Sequence, residues 1–142
     1  MDRVDESVFV GTLEDAGDES QLRRHGVDTV VSLTYGDPEA GFPDFVSVFG
    51  AAMMDGPRNE KAAFESAVER VLASLQSDES VLVHCSRGAS RSPSVAAAAI
   101  AVHRGIDVEE AFEQVGQRRT GFDPHDALVR QAVEVSRALR TG

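Results

Sequence analysis

The sequence predicts a single α/β domain over residues 1–142, with a mostly parallel central sheet flanked by helices on both faces. Three observations lead there. Short apolar, β-branched runs alternate with longer segments whose apolar residues recur at helical spacing. No internal repeat or low-complexity linker divides the chain, and 142 residues suit one core that buries on the order of two-thirds of the extended-chain surface. Strands separated by helices need crossovers, which lay parallel strands side by side.

Taken in order, Val8 to Val10 and Thr29 to Leu33 read as strands, with a short helix near Ser20 to His25 between them. A third strand is expected within Phe45 to Met53. Asn59 to Leu75 reads as a helix, because Phe64, Val68, Val71, Leu72 and Leu75 fall on one face; that stripe is core. Ser80 to His84 reads as a central strand and Ser92 to Arg104 as a helix, with Pro93 in its first turn, where a missing N–H is harmless, and five alanines for close packing. Asp107 with Glu110 forms a candidate capping box for a helix to about Arg118, and Asp123-Pro124 opens a last helix to about Leu139.

The chemistry gathers between the central strand and the alanine-rich helix. The run His84-Cys85-Ser86-Arg87-Gly88-Ala89-Ser90-Arg91-Ser92 holds the one cysteine of the chain. A loop of small residues between a strand and a helix start can wrap a tetrahedral anion with backbone N–H groups, and the helix adds its positive end. Residues 86 to 91 are the candidate phosphate cradle, with Gly88, Ala89 and Ser90 allowing close backbone approach. Free thiols titrate near pH ~8.5 and drop by several units beside cations and helix N-termini, so the cradle is expected to hold Cys85 as a nucleophilic thiolate. Arg91 supplies a rigid fork for two phosphate oxygens, which lysine lacks. Singly, a cysteine is a small buried hydrophobe and an arginine a solvated charge. In combination, with the strand and helix outside, the pattern reads as an oxyanion site.

This segment resembles the cysteine-dependent protein tyrosine phosphatase superfamily, and within it the compact dual-specificity branch. Weaker similarities lie in Val8-Phe9-Val10-Gly11, in Gly26 to Thr34, and in Glu110-Ala111-Phe112 followed by Arg118-Arg119, so the resemblance covers about residues 8 to 131. It implies a two-step hydrolysis through phosphocysteine, with Cys85 as nucleophile, Arg91 as phosphate clamp, His84 ordering the loop and Ser92 hydrogen-bonding the departing sulfur. It also calls for a general acid about thirty residues before the cysteine. Asp55 fits that offset and opens the turn Asp55-Gly56-Pro57; Asp44 and Asp37 are the alternates, and Asp-Gly-Pro is also ordinary turn chemistry. The loop Tyr35-Gly36-Asp37-Pro38 and Arg118 and Arg119 are expected to border the site. Where many members have Pro-Asn before the last helix, this chain has Pro124-His125. Members of the family that act on inositol lipids often carry lysines in this loop; the resemblance therefore argues modestly against a lipid substrate here, where no lysine occurs, although Arg87 weakens the argument.

Composition bounds partners and place. The net charge is −10, with thirteen arginines and a single lysine, Lys61, against twenty-four carboxylates. Such a surface repels nucleic acid and anionic membranes. It fits a high-salt cytoplasm, where salt screens self-repulsion, or an ordinary acidic protein from an arginine-favouring genome. No apolar run approaches the ~18 residues of a membrane span, the acidic start lacks a secretory pattern, and one cysteine excludes an intrachain disulfide. A cytoplasmic monomer is expected. No metal or cofactor is expected, since His25, His84, His103 and His125 lack ligand spacing. The leading function is a protein phosphatase of dual or tyrosine specificity, acting on phosphotyrosine and/or phosphoserine and phosphothreonine in a phosphorylated protein or peptide. The alternatives are a phosphatase for a small-molecule, lipid or RNA 5′ phosphate, and a phospho-binding module without turnover.

Overall fold

Five strands and six helices emerge from this patterning in a computed structural model that describes residues 1–141. The strands are β1 (Asp2–Asp5), β2 (Val8–Gly11), β3 (Thr29–Ser32), β4 (Ser47–Gly50) and β5 (Val81–His84), ordered β1-β2-β5-β3-β4 in one sheet. The pairs β2·β5, β5·β3 and β3·β4 are parallel, and β1 pairs antiparallel with β2. β5 is central and buried along its whole length, so both of its faces are apolar rather than one.

The pleat divides the core. On one side Val8 and Val10 of β2, Val31 of β3 and Val81 and Val83 of β5 join Phe64, Val68, Val71, the alanines Ala96 to Ala99, Val115 and Leu128. Those residues belong to α3 (Lys61–Gln76), α4 (Arg91–Arg104), α5 (Val108–Arg118) and α6 (Asp126–Thr141). On the other side Phe9, Val30 and Leu82 meet Ala16 and Leu22 of α1 (Leu13–Ala16) and α2 (Glu19–Arg24). Successive strand residues feed opposite layers, as a period of two requires. α4 lies buried between sheet and helices; its alanines bring the neighbouring helix axes close.

Four local expectations change. The segment Asp2–Asp5 is an edge strand rather than a plain acidic terminus, because its polar residues have partners: Asp5 takes Arg104 Nε at 3.0 and 2.8 Å and Gln114 Nε2 at 3.2 Å. Burial pushes the Asp5 carboxyl up, but the Arg104 hydrogen bond and charge and its other hydrogen bonds outweigh it and hold it below the usual carboxylate range. α1, absent from the sequence reading, begins with a capping box in which Thr12 Oγ1 accepts from Asp15 N–H at 3.1 Å and Asp15 Oδ2 accepts from Thr12 N–H at 2.9 Å. At Asp107, by contrast, no side-chain cap forms. The last helix starts at Asp126, because Asp123 N–H is drawn to the Ala89 carbonyl at 2.8 Å and His125 Nδ1 caps Ala127 N–H at 3.0 Å.

Candidate active site

The carboxyl end of the central strand delivers the reactive segment. Gly11, His84 and Ser32 stand in register across β2, β5 and β3, so Cys85 emerges at the middle of the sheet edge. Its side chain is 2% exposed, at the bottom of a cleft lined by Asp55, Cys85, Ser86, Arg87, Ala89, Ser90 and Arg91. Ligand crevices of parallel sheets form at this end.

The loop after Cys85 holds its carbonyls outward. Leu13 N–H donates to Ser86 O at 3.2 Å, Arg119 Nη2 to Arg87 O at 3.1 Å and Arg119 Nε to Gly88 O at 3.0 Å. Asp123 N–H donates to Ala89 O at 2.8 Å, and Ser94 N–H and Oγ donate to Ser90 O at 3.1 and 2.7 Å. A trans peptide points its N–H opposite to its C=O, so five anchored carbonyls turn the N–H groups of residues 87 to 91 into the bowl. Gly88 makes the turn at φ 68°, a left-handed conformation, and a Cβ there would stand 2.8 Å from the Gly11 carbonyl oxygen. α4 begins at Arg91 and aims its N-terminal dipole at the same volume.

Three side chains surround the sulfur and the bowl. Ser92 Oγ lies 3.2 Å from Cys85 Sγ, and Ser92 N–H donates to the sulfur at 3.5 Å. Arg91 is anchored from above: Nη1 donates to Met53 O at 3.0 Å and Leu33 O at 3.5 Å, and Nη2 to Ser86 Oγ at 3.1 Å. Those carbonyls follow β3 and β4, so two crossover loops position the guanidinium. His84 lies beneath, with Nε2 2.8 Å from Ser32 Oγ and Nδ1 3.4 Å from Cys85 O. A carbonyl only accepts, which places the proton on Nδ1 and leaves Nε2 to accept from the serine. Burial, reinforced by the Arg91 charge and opposed by the bond to Cys85 O, pushes the imidazole down from 6.5 to about 4, so it is neutral at pH 7.

Asp55 reaches the rim of the bowl. Its Oδ1 accepts from Ser90 Oγ at 2.6 Å, and Ser90 Oγ accepts from His125 N–H at 2.8 Å. The segment carrying Asp55 is tied down by Asn59, which accepts from Met54 N–H at 2.9 Å and exchanges bonds with Gln131 of α6 at 2.9 and 2.8 Å. Asp37, Asp44 and the Tyr35 to Pro38 loop do not line the cleft; Leu33, just ahead of that loop, accepts from Arg91 Nη1 through its carbonyl. Arg118 turns to Val4 O at 3.5 Å on β1, while Arg119 braces the loop from behind. Asn59 and Gln131 escaped the sequence reading, since their 72-residue separation leaves no local signal.

Known proteins resemble the chain along nearly its whole length. The family model described as the dual specificity phosphatase catalytic domain matches residues 8–138. Human dual specificity phosphatase 28 is 30% identical over 139 residues, covering 97% of this chain and 78% of its own length. Bovine dual specificity protein phosphatase 26 is 29% identical over 147 residues, 99% of this chain and 69% of its own. The crystal structure of human DUSP28 superposes with a TM-score of 0.87 at 28% identity, covering 99% of both chains. A mouse dual specificity phosphatase solved with zinc tungstate gives 0.85 at 26% identity, covering 99% of this chain and 88% of that one.

Proposed function

Because the chain belongs to the dual specificity phosphatase family and is a cysteine-dependent protein phosphatase, we propose that it hydrolyses phosphotyrosine and phosphoserine or phosphothreonine esters through a phosphocysteine formed at Cys85. The observation that carries this reading is the sulfur at the floor of a ring of inward N–H groups, beside the Arg91 fork.

A phosphoryl group seated in the bowl has its oxygens toward the N–H groups of residues 87 to 91 and one face of Arg91, with phosphorus above Cys85. The sulfur attacks in line with the ester oxygen; the S–P bond forms as the P–O bond breaks, and the Asp55 carboxyl gives its proton to the departing oxygen. Water then attacks phosphorus, its proton goes to the Asp55 carboxylate, and the S–P bond breaks toward sulfur. Ser92, 3.2 Å from that sulfur, stabilises the charge that returns to it. The donors are in place before substrate arrives, so little reorganisation accompanies the charge shift onto the equatorial oxygens. His84 acts through the loop: neutral and bonded to Ser32, it fixes the peptide that follows it.

The partners proposed are phosphorylated proteins, met by a monomer in a reducing cytoplasm. The charge of −10 supports that preference over nucleic acid or anionic membranes. Among the described residues no helix is long and apolar enough to cross a membrane. The test is turnover of an aryl phosphate by metal-free protein, inhibited by vanadate and abolished in Cys85→Ser. A panel of phosphotyrosyl, phosphoseryl and phosphothreonyl peptides beside nucleotides and inositol phosphates then ranks substrates. Faster turnover of a nucleotide or inositol phosphate than of every peptide would overturn the protein assignment.

A further inference from the structure

We infer that Arg119, outside the cleft, is a positioning residue that sets two consecutive peptide planes of the phosphate loop, and that Asp2 of β1 holds it in place for that task. The inference rests on the phosphatase reading of the bowl and names what keeps the bowl open.

Arg119 follows the C-terminus of α5, and its side chain is only 9% exposed. Nε donates to Gly88 O at 3.0 Å and Nη2 to Arg87 O at 3.1 Å, so one planar group captures two consecutive carbonyls. The remaining nitrogen, Nη1, donates to Asp2 Oδ2 at 3.1 Å and Val10 O at 3.4 Å, and Asp2 Oδ2 also accepts from Thr120 N–H at 3.1 Å. Each captured carbonyl commits the N–H on the far side of its peptide, those of Gly88 and Ala89, to the bowl. Loop and guanidinium are also fitted sterically. Gly88 has φ 68°, and a Cβ there would collide with the Arg119 guanidinium, so glycine and arginine occupy one space between them. Lysine, with one ammonium on a flexible stem, cannot hold two carbonyls and a carboxylate in one plane. A staple that merely joined β1 to α5 would need the Asp2 pair alone; two of the four partners are instead carbonyls of the anion-binding loop.

The experiment compares wild type, Arg119→Met, Arg119→Lys and Asp2→Asn in kcat/KM for an aryl phosphate and in the inhibition constant of vanadate, well below each melting temperature. Misplacement of groups by about 1 Å is worth on the order of a hundredfold in rate. Arg119→Met is therefore expected to lose about that factor in kcat/KM and to weaken vanadate by a similar one; Arg119→Lys should recover little, and Asp2→Asn should lose less than either, in the same direction. A structural staple would lower the melting temperature and leave both constants of the folded protein alone, which would overturn the inference. Should Arg119→Met fail to fold, Asp2→Asn decides, and unchanged vanadate affinity in it overturns the inference. Wild-type protein that neither turns over nor binds vanadate would instead overturn the reading of the bowl.

Discussion

Replacing Arg91 by lysine keeps the charge and removes the fork, which makes it the substitution whose effect is best bounded by the geometry. Arg91 divides its donors between an anchoring side, Met53 O at 3.0 Å and Leu33 O at 3.5 Å, and the bowl side, where Nη2 meets Ser86 Oγ at 3.1 Å. An ammonium can serve one side and not both. Hydrogen bonds to charged groups contribute about 1.5–3 kcal/mol each, so losing one or two of them from the transition state amounts to about 1.5–6 kcal/mol. At about 1.4 kcal/mol per decade that is roughly a 10- to 10,000-fold fall in kcat/KM. The assay is initial-rate hydrolysis of an aryl phosphate at sub-saturating concentration, with denaturant midpoints measured in parallel to hold the folded fraction constant. The loss should appear in kcat as well as in kcat/KM, because the fork grips the equatorial oxygens better as the transferring group flattens. A variant within about threefold of wild type would refute the reasoning that planar, two-sided donation matters here.

Two further outcomes follow from neighbouring groups. Asp55→Asn should slow alkyl phosphates more than aryl phosphates, by on the order of a hundredfold or more for the poorer leaving group; equal slowing of the two would assign proton donation elsewhere. His84 carries a stability prediction. Its imidazole is held near 4 when folded and returns to about 6.5 when unfolded, so between those values the unfolded chain binds more protons and stability falls as pH drops. The full shift is worth about 3 kcal/mol, all of it retained above pH 6.5 and most of it gone by pH 4.5. Urea midpoints at pH 7 and 4.5 check this: wild type should lose stability across the interval, and His84→Gln should be nearly flat. Equal slopes would contradict it.

The candidate site was legible where chemistry and local spacing coincide. Cys85, Arg91 and Ser92 sit in one strand, loop and helix start, so sequence order is spatial order. Asp55 was reachable through an offset plus a turn signal, and the cleft that it shares with Cys85 depends on a crossover loop whose path no local pattern specifies. The sheet was legible for the same reason: β2, β3 and β5 are valine-rich runs buried on both faces. β1 was not, because Asp2 and Asp5 look solvated until Arg104, Gln114 and Arg119 arrive from more than ninety residues away. The late start of α6 shows a local capping preference yielding to a tertiary bond, where Asp123 is drawn to Ala89.

The claim on which the account turns is that the phosphoryl group passes through sulfur. Acid quenching during steady turnover of an aryl phosphate, followed by mass spectrometry of the peptide that carries Cys85, measures it directly. One phosphoryl group on that cysteine, accumulating further in Asp55→Asn where its hydrolysis is slowed and absent from Cys85→Ser, is the predicted result. Turnover that proceeds with the sulfur unmodified, or that survives Cys85→Ser, would contradict it.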